Sequence, residues 1–242
     1  MGKFEVNERV IFVRDGVRCR GRVTKVLPQA RRIVTDSGNR LEVSVRRLHR
    51  SPDRVLILET RLERSLRSSR EYAPMLERWL SAYGIEALHE KVHTVEDIRR
   101  FLRREGKNVA TRFVHIIGHG TDEPGSGSAW LHLTFEKLDL VKQANVFAGL
   151  DGKIIIFSCC EIGADRRAME TVRSESGAAA VIAYRVTVDD WYTNLAEALL
   201  YQYFVCTSLS PQHVVKRVSE ILDEMGARVS GQITRKAVLV CG

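Results

Sequence analysis

Two short segments set reactive side chains among glycines. His119 lies between Gly118 and Gly120 directly after the apolar run 113–117, and Cys160 lies some forty residues later in Ser158-Cys159-Cys160-Glu161-Ile162-Gly163, directly after the run 153–157. A thiol beside an imidazole is the minimum for nucleophilic acyl transfer. With an ordinary pKa of about 8.5, only about 3% of a free cysteine is thiolate at neutral pH, so a base must activate it. His119 is the candidate base, and it can later return the proton to the leaving amine. The flanking glycines let the chain turn sharply and bring backbone N–H groups close to a scissile carbonyl. The N–H groups of Gly120 and Cys160 are the two expected halves of an oxyanion hole.

The elements that must position these residues begin at Asp53. Apolar runs at 55–58, 113–117, 153–157, 178–183 and 237–240 read as strands. Between them lie helical patterns at 70–83, carried by Tyr72, Met75, Leu76, Trp79 and Leu80, then from Thr94 to near Gly106, and at 138–150, 164–176, 190–204 and 211–225. Such alternation predicts an α/β domain over 53–242 with a mostly parallel sheet and helices on both faces. In such sheets the ligand site lies beyond the carboxyl ends of the strands, which is where His119 and Cys160 stand. Parallel neighbours are about 4.8 Å apart, so the two end loops are within reach of each other.

Residues 1–52 have a different character. The chain carries a formal charge of +8, yet residues 1–53 hold 13 basic and 6 acidic side chains, and the remainder is close to neutral with 25 against 24. Short strands at 9–13, 18–26, 32–35 and 40–45, with Asp15-Gly16 and Ser37-Gly38 as turn signals, predict a small all-β barrel of SH3-like or Tudor-like type. Arg18, Arg20 and Arg22 alternate along one strand, so they mark either a solvated face or a binding face for an acidic protein partner or nucleic acid. With Phe12 alone as an aromatic neighbour, the stacking platform of a single-strand binder is missing. The stretch MGKFEVNERV has no apolar signal core, no run is long enough to span a bilayer, and Val6 stands where a myristoylation signal needs Ser or Thr. Five cysteines, an odd number, fit a reducing compartment, so a cytoplasmic location away from the membrane is expected.

The two reactive segments together resemble the caspase-like (clan CD) cysteine peptidases, in the CHAT branch related to separase. That branch shows a His-x-x-x-His-Gly segment, here His115-Ile-Ile-Gly-His119-Gly120, and a Ser-Ala-Cys-Glu-x-Gly segment, here Ser158-Cys159-Cys160-Glu161-Ile162-Gly163. The resemblance runs over about residues 110–225 and implies a Cys160–His119 dyad that cuts a protein substrate without metal or organic cofactor. It also implies that the acidic loop after the following strand, Asp189 or Asp190, receives an Arg or Lys side chain at P1. Asp122, after the His119 segment, is a further acidic candidate. Metacaspase-like enzymes place an Asp two residues before the nucleophile, and Ser158 occupies that position here. Stand-alone chains of this kind resemble bacterial effector proteases that cut a partner protein, with antiphage defence as the context by analogy.

Several of these residues also have plain structural readings. Asp189 or Asp190 can cap the helix that starts there. His115 sits within a strand, and Ile-Ile-Gly between it and His119 disfavours the helix that would turn both toward one metal. Cys159 and Cys160 point to opposite sides of an extended chain, so Cys159 reads as a small buried hydrophobe and not as half of a redox pair. The segment from Gly125 to Ser128 resembles a flexible rim loop and lacks the lysine and helix of a phosphate cradle. The expected function is therefore a cysteine endopeptidase. The alternative is a scaffold or an acidic-partner or nucleic-acid binder that works through the basic barrel.

Overall fold

A computed structural model of the protein describes residues 4–6, 8–15, 17–35, 37–50, 53–63, 71–108, 110–123, 128–207, 209–227 and 237–242. The N-terminal part is an antiparallel sheet of β1 (Arg9–Arg14), β2 (Val17–Val26), β3 (Ala30–Thr35), β4 (Arg40–Ser44) and β5 (His49–Arg50), in the order β4-β3-β2-β1-β5. Its two ends, β4 and β5, are edges, so the predicted barrel is an open five-stranded sheet around Val10, Phe12, Val23, Ile33 and Leu48.

The rest is an α/β layer structure. Its sheet contains β6 (Arg54–Glu59), β7 (Glu86–Lys91), β8 (Thr111–Ile117), β12 (Ile154–Ser158), β13 (Ala180–Tyr184) and β14 (Val238–Cys241), in the order β14-β13-β12-β8-β6-β7. All neighbours are parallel except β13 and β14. Side chains alternate between faces along each strand and divide the core in two. Leu56, Leu58, Val114, Ile116, Ile155 and Phe157 face α2 (Val95–Gly106) and α3 (Arg166–Ser176). Val55, Ile57, Phe113, Ile117, Ile154 and Ile156 face α1 (Ala73–Ala82), α4 (Asp190–Cys206) and α5 (Pro211–Glu224). The expected start of α2 is borne out by a reciprocal cap, in which Thr94 Oγ1 accepts from the Asp97 N–H and the Asp97 carboxylate accepts from the Thr94 N–H.

Three elements differ from expectation. The predicted helix at 138–150 is instead β11 (Lys137–Asp139), a turn and a 3₁₀ turn at Ala144–Phe147. The buried Asp139 carboxylate accepts from the N–H groups of Val141 and Lys142 at 2.9 and 3.0 Å, which favours a turn over helix continuation. The polar sequence of β7 hid an edge strand that is held by its pairing with β6. Likewise, β9 (His119–Glu123) pairs with β10 (Ser128–His132) and, through it, with β11, although HGTDE has no apolar alternation. Of the expected rim loop, residues 125–127 lie outside the described residues and Ser128 begins β10. Among the described residues no helix is long and apolar enough to cross a membrane.

The N-terminal sheet is joined to the α/β layers by buried charge. Asp53, just before β6, is 4% exposed and lies 3.2 Å from both Arg9 of β1 and Arg112 of β8. Arg22 of β2, also 4% exposed, donates to the Phe204 carbonyl at 2.9 Å and to the Val205 carbonyl, and Arg112 donates to Phe204 at 2.9 Å. The last carbonyls of α4 lack intrahelical partners and sit at its negative end, so two guanidinium groups satisfy both their hydrogen bonding and their charge. Part of the N-terminal positive charge is thus internal: Arg22 faces α4, and Arg31 donates to the carbonyls of Phe4, Leu27 and Ala30. The side chains of Arg18 and Arg20 lie outside the described residues. Replacing Asp53 with Ala takes the carboxylate from the buried Arg9 and the half-buried Arg112, so Asp53→Ala is expected to lower the unfolding free energy in urea by about 3 kcal/mol.

Candidate active site

The pairing of β8 with β12 in register, Ile117 opposite Ser158, delivers their following residues to one edge of the sheet. There, a cavity of about 400 Å³ is lined by Leu62, Ile117, Gly118, His119, Ser158 and Cys160, and on its far side by Tyr72, Val188, Asp189, Asp190 and Thr193. These residues follow the carboxyl ends of β6, β8, β12 and β13, the four central strands, at the place where chain order reverses between β6 and β8. Of the residues singled out by sequence, His119, Cys160, Asp189 and Asp190 meet in this one cavity.

His119 is exposed, and its Nε2 lies 2.7 Å from the Leu62 carbonyl oxygen. A carbonyl can only accept, so Nε2 carries a proton, and in the neutral ring it is Nδ1 that has the lone pair of a base. Cys160 is half-buried. Its Sγ lies 3.5 Å from the Val188 N–H and 3.6 Å from the Val188 carbonyl, which fixes the sulfur against the loop after β13. The next residue, Glu161, takes φ +60°, a left-handed conformation uncommon for a residue with a side chain. That turn is held by its N–H to the Val186 carbonyl at 3.2 Å and by the Thr187 hydroxyl on its carboxylate at 2.7 Å. Strain of this kind immediately after a candidate nucleophile is typical of functional turns.

The glycines have a different use from the one expected. Neither Gly118 nor Gly120 has positive φ. What demands glycine is space: a Cβ at Gly120 would lie 2.5 Å from the Cys160 carbonyl and 2.4 Å from Ile162, and one at Gly118 would lie 2.3 Å from the Thr60 hydroxyl. The absence of two Cβ atoms lets the His119 segment lie against the Cys160 turn.

The neighbouring Cys159 points the other way, as alternation requires. It is 1% exposed with Sγ 3.7 Å from the Ile116 carbonyl, and burial pushes its thiol well above the ordinary range. Asp189 is exposed, and its carboxylate caps α4 by accepting from the Tyr192 N–H at 2.8 Å; Asp190 is exposed in the first turn. Asp122 lies in β9 opposite Ala129, and its side chain is outside the described residues. Among the described residues no three His, Cys, Asp or Glu side chains are grouped to hold a metal ion.

Sequence reasoning missed the carbonyl of Leu62, the wall residues Tyr72 and Thr193, and the layer beneath them. Tyr72 begins α1, and its N–H and that of Ala73 donate to Glu59 Oε1 at 2.5 and 3.1 Å. Glu59 Oε2 lies 3.0 Å from His89 Nε2. Burial raises the Glu59 carboxyl, but the bonds from His89, Tyr72 and Ala73 outweigh it and leave it below its ordinary value. The bond to Glu59 raises His89 against the opposing effect of burial. Beneath Tyr72, the buried Glu197 of α4 receives its hydroxyl at 3.1 Å. A lone glutamate in Leu-Ala-Glu-Ala-Leu-Leu was the one signal for this in the sequence.

The arrangement is that of an α/β protein with a thiol and an imidazole in one cavity beyond the carboxyl ends of its central strands. The family model of the CHAT domain matches residues 22–216, so the chain belongs to the CHAT domain family. The match begins within β2, earlier than the segment that carries the motif resemblance. No curated protein matches the sequence.

Two outcomes follow from this geometry. Iodoacetamide at neutral pH is expected to alkylate Cys160 and leave Cys159 unmodified in the folded protein, as read by peptide mass mapping; equal labelling would show that burial does not protect Cys159. The Glu59–His89 pair should stabilise the fold fully above the ordinary carboxyl value and below about pH 6.5, the ordinary value for histidine. That contribution is lost as pH rises through the raised His89 value, and also as pH falls through the lowered Glu59 value. The Tm difference between wild type and His89→Gln, measured across pH, should therefore peak at about pH 5–6 and shrink on either side.

Proposed function

We propose that the protein is a cysteine endopeptidase that cuts a protein partner, with Cys160 as nucleophile and His119 as proton shuttle. The observation that carries this reading is the single cavity shared by Cys160 and His119, with the imidazole oriented by the Leu62 carbonyl. Nδ1 of His119 takes the thiol proton as sulfur attacks the scissile carbonyl, forming the C–S bond. The oxyanion is received by the N–H groups of Gly120 and Cys160. Collapse of the tetrahedral species breaks the C–N bond as the imidazolium gives its proton to the leaving amine, and water then releases the acyl group from sulfur.

The site prefers Arg or Lys at P1, received by Asp189 or Asp190, which both line the cavity. Residues 1–52 form the partner-facing module, whose outward basic side chains hold an acidic segment of the substrate or of a regulator. The setting proposed is the cytosol, in a bacterial defence response.

A diverse peptide library incubated with wild type, Cys160→Ala and His119→Ala and read by mass spectrometry tests this. Wild type should cleave, and each variant should be at least about a thousandfold slower. Cleavage that survives Cys160→Ala rejects the mechanism, and an inactive wild type would favour a binding role for the N-terminal module. Asp189→Asn, which keeps a helix cap, and Asp190→Lys are compared for P1 preference: loss of the preference for basic P1 in one of them identifies the receiving carboxylate, and no change in either removes both from the pocket.

A further inference from the structure

Glu197 lies two turns into α4 at 0% exposure, in a helix otherwise surrounded by apolar packing. Its Oε2 accepts from the Tyr72 hydroxyl at 3.1 Å and lies 3.2 Å from His115 Nε2, and its Oε1 accepts from the Tyr184 hydroxyl at 3.3 Å. His115 in turn places Nδ1 2.8 Å from the Tyr201 hydroxyl, so Tyr201 donates to Nδ1, and Nε2 stays within ion-pair distance of the carboxylate without being in line for a hydrogen bond. Burial, followed by the nearby carboxylate, holds the phenols of Tyr72, Tyr184 and Tyr201 far above their ordinary value, so all three remain donors.

A fully buried carboxylate is expensive, and an apolar residue of similar volume usually packs at least as well. What this one achieves is connection. Tyr72 opens α1 and lines the cavity, His115 is four residues before His119 on β8, and Tyr184 ends β13, whose following loop holds the Cys160 sulfur through Val188. On α4 itself, Asp190, Thr193, Glu197 and Tyr201 share one face, and the first two line the cavity. One side chain therefore ties together four of the elements that contribute to the cavity, next to its wall residue Tyr72.

We propose that Glu197 is the positioning residue of the site: it holds α1, β8, β13 and α4 in register around Cys160 and His119 without touching substrate. This rests on the peptidase reading for its kinetic test and on geometry alone for its second test. With a peptide that wild type cleaves, kcat and KM are measured for Glu197→Gln, Tyr72→Phe and the double variant, with active sites counted by stoichiometric alkylation of Cys160. The carboxamide keeps the shape but opposes one donor with another. The expected result is a kcat about tenfold to a hundredfold lower with KM changed less than about threefold. The double variant should fall less than about threefold below Glu197→Gln, because both act through one bond. A kcat per alkylated site within about twofold of wild type, or losses that multiply, overturns the proposal. Should Glu197→Gln not fold, Tyr72→Phe and Tyr184→Phe carry the same readout.

If wild type cleaves nothing, the peptidase reading fails by itself. Hydrogen exchange then decides the positioning role. Amides of residues 186–193 should exchange at least about tenfold faster in Glu197→Gln than in wild type, with β1 and β2 unchanged. Equal exchange overturns it.

Discussion

The parallel pairing of β8 with β12 is the constraint on which the candidate site depends. Apart from Thr111, Arg112 and His115 of β8 and Ser158 of β12, both strands are buried apolar runs between layers of helices. Their register places Ile117 opposite Ser158, so the chain leaves both strands at one level, and the next residues must turn in the same small space. Gly118 and Gly120 make that crowding tolerable, and the left-handed Glu161 turns the other chain away. Hydrophobic burial between the layers thus determines where a thiol and an imidazole meet, although it contributes nothing to their reactivity.

Within those apolar layers, a few buried carboxylates set relative positions that hydrophobic packing alone leaves free. Glu59 holds the start of α1, Glu197 joins α4 to β8 and β13, and Asp53 joins β1 to β8. Each lies between elements distant in sequence, and each has directional partners. Apolar contacts tolerate sliding, whereas a hydrogen bond to a carboxylate oxygen does not, so these groups convert a packed fold into a specified one. The same logic changes the meaning of the basic N-terminal region. Arg9 and Arg22 are directed inward to Asp53 and to the end of α4, and α4 begins at the cavity. The N-terminal sheet is therefore in physical contact with a helix that forms a wall of the site.

Much of the fold was legible because its signals are local. Apolar runs such as Ile154–Ser158 identify central strands, Thr94 with Asp97 marks the start of α2, and glycine-flanked His119 and Cys160 stand at strand ends. The elements that were misread depend on partners. β7 is polar and exists because β6 offers a free edge, and β9 follows its hairpin mate β10. The helix expected at 138–150 gave way to a turn around the Asp139 carboxylate, a competition between side-chain and backbone acceptors that periodicity does not register.

The candidate site divides in the same way. Glycine flanks and position after an apolar run distinguish His119 from the other histidines, and the motif resemblance together with strand alternation distinguishes Cys160 from its neighbour Cys159. The role of Leu62 was invisible, since any residue has a carbonyl and only folding brings this one to 2.7 Å from the imidazole. Whether Arg22 faces solvent or the end of α4 depended on where the neighbouring elements came to rest. Charge and hydrogen bonding act through space over a few ångströms, and sequence specifies the groups but not those separations. The asymmetry of charge is a property of the chain itself, and the buried acceptors that the fold brings to Arg9, Arg22 and Arg31 account for that part of it.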